Sequence, residues 1–66
     1  MWIRSQDKID LINATEIRIY GDESIKVNDI FFGDYKNQKR CLEVLDDIQK
    51  QMFDCDNGYV YEMPSE

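Results

Sequence analysis

Asn37-Gln38-Lys39-Arg40-Cys41-Leu42-Glu43-Val44-Leu45-Asp46-Asp47-Ile48-Gln49-Lys50-Gln51-Met52-Phe53 is the stretch that dictates how the rest of the chain must fold. Its apolar residues Cys41, Val44, Leu45, Ile48 and Met52 follow the three-and-four spacing that lines one stripe of an α-helix. No glycine or proline interrupts the run, so helix propensity is good throughout. Asn37 is a suitable N-cap, because its side-chain oxygen can accept from free amides of the first turn. Arg40 three residues on rules out a capping box, and Lys39 and Arg40 oppose the helix dipole. The pairs Lys39–Glu43 and Asp46–Lys50, spaced i,i+4, offset part of that cost.

A striped helix needs an apolar face to lie on, and the residues before it supply one. Trp2-Ile3-Arg4-Ser5 predicts a short strand with Trp2 and Arg4 on one face, followed by turn residues Ser5 to Lys8. Ile9 to Ala14 alternate weakly and make a second strand. Thr15 to Tyr20 alternate clearly, with Ile17 and Ile19 inward and Glu16, Arg18 and Tyr20 outward. After the turn Gly21-Asp22-Glu23, Ser24 to Val27 resume with Ile25 and Val27 inward. Asn28-Asp29 reads as a turn or as a bulge; we favour the bulge, since a turn leaves two very short pieces, so that one bent strand continues through Ile30-Phe31-Phe32, with Phe31 facing the helix. Past the helix, Asp54-Cys55-Asp56-Asn57-Gly58 predicts a polar loop, and Tyr59-Val60-Tyr61-Glu62-Met63 a last strand with both tyrosines outward. The expected fold class is α+β: a small antiparallel sheet of four to five strands with one helix on one face, in the order β-β-β-β-α-β. It forms a single domain over residues 1–66.

A chain of 66 residues buries only ~60% of the surface its unfolded state exposes. It therefore needs tight packing, a disulfide, a metal or a partner subunit. Cys41 lies on the helix stripe and Cys55 in the polar loop, with no signal-peptide pattern ahead of them. They predict a buried hydrophobe and a free thiol in a reducing cytoplasm. The chain has no histidine, and two cysteines do not complete a tetrahedral site, so neither metal nor cofactor is expected. Packing and self-association remain, and a homodimer is the expected assembly.

Fourteen acidic residues against eight basic ones give a net charge of −6. That balance argues against nucleic acid or an anionic membrane as a direct partner and is compatible with a basic protein surface. Catalysis finds little support. No imidazole is available as a base near neutral pH, and Asp46 and Asp47 diverge on the helix. Glu43 and Asp47 share a helix face, but it is the solvated one, which offers no enclosed site for acid–base work. Cys55 has no base placed beside it, and no phosphate-cradling glycine loop is present. The acids beside Gly58 fail the spacing of a calcium loop. No catalytic, cofactor or metal residues are therefore expected.

The aromatics are the informative remainder. Trp2, Tyr20, Tyr59 and Tyr61, with Arg4 and Arg18, have the composition of an interface hot spot if they share the outer face of the sheet. Ordinary cross-strand pairing accounts for tyrosines on a half-wet sheet equally well.

The opening Met1-Trp2-Ile3-Arg4-Ser5-Gln6-Asp7-Lys8, the segment Phe32-Gly33-Asp34-Tyr35, the helix core Cys41-Leu42-Glu43-Val44-Leu45-Asp46-Asp47-Ile48 and the late Tyr61-Glu62-Met63-Pro64 carry a family resemblance. The chain resembles very small proteins of Firmicutes and their phages, with a W-I-R-S-Q start, a G-E-Y…A-L-E-V-L-D-x-I helix and a terminal Y/F-x-M-P. It departs from them at Asn37 and from Lys39 to Cys41, where Thr or Ser, an acid and Ala are more usual. The resemblance implies a phage protein that binds and inhibits a bacterial antiviral defence protein, of the anti-Hachiman type. It implies no site residues. Two other classes stay open from sequence: a module binding a small nucleotide signal, for which Arg4, Lys8, Arg18 and Lys26 are the available bases, and an accessory of a host complex.

Overall fold

The structure, a computed structural model, describes residues 1–54 and 59–66. Its elements run β1 (Trp2–Arg4), β2 (Leu11–Asn13), β3 (Ile17–Tyr20), β4 (Ser24–Val27), β5 (Ile30–Asp34), α1 (Gln38–Asp54) and β6 (Val60–Glu62). The α+β class with one helix is as expected. The strands, however, divide into two three-stranded sheets, β2-β1-β6 and β3-β4-β5. The second is antiparallel throughout; in the first, β1 pairs antiparallel with β2 and parallel with β6. A parallel neighbour needs a crossover, and β6 reaches β1 only after the helix. The polar-loop reading falls mostly on residues 55–58, outside those described.

Helix and sheets close on a core of Ile3, Ile25, Val27, Phe32, Tyr35, Cys41, Val44, Ile48, Tyr61 and Met63. Asn37 caps the helix as its residue type suggests, its Oδ1 accepting from Arg40 N at 2.9 Å. Glu43 pairs with Arg40 at i,i+3, 3.3 Å away, instead of with Lys39. The buried stripe is narrower than its periodicity implies. Cys41, Val44 and Ile48 are buried, Leu45 is half-buried, and Met52 is 49% exposed. Two short sheets cover the first three helical turns more fully than the last.

The Asn28-Asp29 bulge is not observed. Both residues have positive φ, 51° and 66°, and form a two-residue hairpin turn between β4 and β5. The primed turn needs left-handed backbone at both central positions, which Asn and Asp tolerate better than most side chains. Asn28 Oδ1 also accepts from Thr15 N and Glu16 N, and its Nδ2 donates to Asn13 O, so one side chain ties the turn to the β2–β3 link. A bulge does occur further along. The register passes from Lys26↔Phe31 to Ile25↔Gly33, leaving Phe32 as the extra residue.

The join between the sheets lies in residues that look like plain turn material. Ser5 is buried; its Oγ donates to Asp7 Oδ1 at 2.6 Å and accepts from Asp10 N. That hydroxyl, with the Ile9 amide, holds the Asp7 carboxyl below its ordinary value. Gln6 N donates to Phe32 O, Gln6 Oε1 accepts from Asp34 N, and Nε2 donates to the carbonyls of Asp34 and Ser65. The side-chain amide thus imitates a strand rung, linking the end of β1 to β5 and the C-terminal segment. Gln6→Ala is expected to lower the unfolding free energy by about 1 kcal/mol in urea titrations, since it removes three exposed hydrogen bonds whose partners water can then satisfy. A change inside a few tenths would show the clamp to be incidental.

Candidate interaction surface

β3, β4 and β5 turn one face to the core and the other to solvent. Across the outer face, Arg18 stands opposite Lys26, and Lys26 opposite Phe31. Tyr20 lies two residues along β3 from Arg18, where the strand ends at Gly21, whose φ of +63° suits glycine and turns the chain into β4. The rings of Tyr20 and Phe31 reach toward each other over β4 and meet edge to face, centroids 5.6 Å apart at 86°. Lys26 Nζ sits 4.2 Å from the Tyr20 centroid and 4.6 Å from that of Phe31. Tyr20 is 56% and Phe31 57% exposed. Arg18 pairs with Glu16 at 2.9 Å, and Asp34 Oδ1 accepts from Ser24 Oγ at 2.7 Å. Among the described residues, no carboxylate lies within 4.0 Å of Lys26.

The six candidate interface residues do not share one face. Trp2 and Arg4 belong to β1, where Trp2 lies between Asn13 and Val60 and Arg4 between Leu11 and Glu62. Arg18 and Tyr20 belong to the other sheet. Tyr59 is exposed just ahead of β6. Tyr61 corrects the expectation of an outward tyrosine: it is 4% exposed, with its hydroxyl donating to Asp47 Oδ2 at 2.8 Å. Parallel pairing of β6 with β1 sets Tyr61 beside the core residue Ile3, so Val60 takes the outer position. Burial and the Asp47 hydrogen bond both push the Tyr61 phenol well above its ordinary value.

Phe31 was expected to face the helix, and Lys26 was named only as an available base, so their meeting was missed. A two-residue turn pairs Val27 with Ile30 and Lys26 with Phe31, which sends Phe31 outward. A bent single strand would have kept it inward. The readable signal was the Asn-Asp dipeptide, both of whose residues accept left-handed backbone.

Elsewhere the surface offers less. A groove of about 320 Å³ between the β2–β3 link and the end of α1 is lined by Ala14, Ile17, Leu45 and Met52 among others. Burial pushes the Cys41 thiol up, which keeps it protonated and a poor nucleophile. Among the described residues, no group of three or more potential ligands could hold a metal, and no helix is long and apolar enough to cross a membrane.

Most residues that carry the sequence resemblance have structural work. Ile3, Tyr61 and Met63 are core, and Ser5 and Gln6 join the sheets. Tyr35 donates to Pro64 O at 2.8 Å, and a Cβ on Gly33 would come within 2.8 Å of the Tyr35 ring. Set against protein-family models, curated proteins and solved structures, the chain matches none.

Proposed function

We propose that this chain is a non-enzymatic interaction protein that docks on a protein partner through the outer face of β3-β4-β5. The observation that carries the reading is the exposed Tyr20–Phe31 pair with the Lys26 ammonium over both rings. Rigid aromatic side chains held in place before binding bury large areas at little entropic cost, and such residues dominate binding energy at interfaces. The phage origin and the defence-protein target rest on the sequence resemblance. Self-association belongs to the proposal too, through the outer face of the other sheet, where Trp2 pairs with Val60 and Leu11 lies one row along, opposite Arg4.

A nucleotide-signal site is less well supported. Of its four available bases, Arg4 donates to Lys8 O, Lys8 pairs with Glu62 and Arg18 with Glu16. Only Lys26 lacks such a partner among the described residues.

The test is phage plating on cells carrying a Hachiman-type system, with the wild type or a Tyr20→Ser/Phe31→Ser double variant expressed. The wild type should restore plaques and the variant should not, while the variant still melts cooperatively, at a temperature lower by about 4–8 °C for each kcal/mol lost. Full protection in the presence of the wild type would refute the defence target. Equal restoration by both chains would refute the face.

A further inference from the structure

We infer that the Tyr20–Lys26–Phe31 surface takes a partner segment in which a carboxylate sits beside an apolar side chain. This names the partner chemistry for the docking face proposed above and rests on that reading. A chain of net charge −6 carries here an ammonium whose close neighbours on the outer face are two aromatic rings. Ring faces attract the cation but leave ammonium protons free to donate, and a carboxylate makes the strongest such bond. Arg18, across the β3–β4 pair, adds a second positive charge, shared with Glu16 over an exposed and therefore weak bridge. The edges and faces of Tyr20 and Phe31 beyond Lys26 are apolar and exposed, and they match an aliphatic or aromatic anchor.

Geometry argues against a second copy as the occupant. A two-fold axis through this cluster would set Lys26 against its own symmetry mate, and the carboxylate of Glu16 on the same face is already paired with Arg18. A polyanion fits no better, because two cations in a field of net charge −6 neutralise too few phosphates. A partner that is neutral or basic overall, with one or two carboxylates flanking an apolar anchor, satisfies both the local patch and the long-range field.

The experiment follows backbone amide NMR shifts of Arg18, Tyr20, Lys26 and Phe31 during titration with capped Gly-Glu-Leu-Glu-Leu-Gly, its Gln-for-Glu and Lys-for-Glu counterparts, and a short single-stranded DNA. The Glu peptide should shift these amides and bind about tenfold more tightly than the Gln peptide. That advantage should vanish in Lys26→Met and, as a second variant should Met disturb folding, in Lys26→Gln. Equal binding of Glu and Gln peptides at these amides would overturn the carboxylate inference and leave the docking face standing. Preference for the Lys peptide or for DNA would overturn it as well. No shift at these amides with any peptide would remove both the inference and the face.

Discussion

Phe32→Ala is expected to lower the unfolding free energy by about 3–5 kcal/mol, whereas Phe31→Ala should cost about 1 kcal/mol. The two phenylalanines are adjacent, but Phe32 is 2% exposed and Phe31 57%. Removing the Phe32 ring takes away buried apolar area and leaves a cavity where β5 meets the core. Removing the Phe31 ring loses one edge-to-face contact and one cation–π contact in water. Native domains stand only ~5–15 kcal/mol above their unfolded state, and a chain this short belongs near the lower end. Phe32→Ala should therefore be largely unfolded in dilute denaturant, while Phe31→Ala keeps a midpoint close to the wild type. Equal losses in urea titrations would mean that the Asn28-Asp29 hairpin and the bulge at Phe32 are wrong.

Alkaline pH should unfold the protein through two phenols. Burial pushes Tyr35 up to about 12 from an ordinary value of 10.0, against a smaller opposing effect of Arg40. Tyr61 is pushed up further, by burial and by its bond to the Asp47 carboxylate. Both phenols hold their protons more tightly in the folded state. Their contribution is complete below the unfolded value near 10 and is lost as pH climbs toward the folded values. Between roughly pH 10 and 12 the unfolded chain binds fewer protons than the native one. Each phenol then removes about 1.4 kcal/mol of stability per pH unit. Urea midpoints, with phenolate absorbance as a second probe, should stay level with respect to these groups up to about pH 10 and then fall steeply. Tyr61→Phe should make the fall shallower. A flat midpoint through pH 11 would show these rings to be reached by water.

Element types were legible in the sequence to different depths. The helix was plain, because Cys41, Val44 and Ile48 repeat over several turns and no other structure puts them on one side. Ile17, Ile19, Ile25 and Val27 revealed strands by strict alternation. The candidate surface was half legible. Tyr20 and Arg18 were identified as outward and Lys26 follows from the inward Ile25 and Val27, but Phe31 was assigned to the wrong face, since the face a residue takes after a turn depends on the turn's length. Tyr61 was misplaced for a related reason: alternation separates two faces without saying which one meets the core. Gln6 and Ser5 escaped notice because a short polar side chain in a turn has no local mark of the distant carbonyls it will meet.

Local spacing and charge, which operate within a few residues, were sufficient for the α+β class, the helix and its Asn37 cap, the inward residues of β3 and β4, and an acidic chain without imidazole. The division into two sheets, the parallel entry of β6 beside β1 and the Gln6 clamp came from contacts between distant segments. So did the meeting of Tyr20, Lys26 and Phe31 on one outer face, where three strands contribute one side chain each and Lys26 touches both rings only once the β4–β5 register is set. That register follows from the left-handed turn at Asn28-Asp29 and the burial of Phe32, whose energies depend on the folded core as a whole.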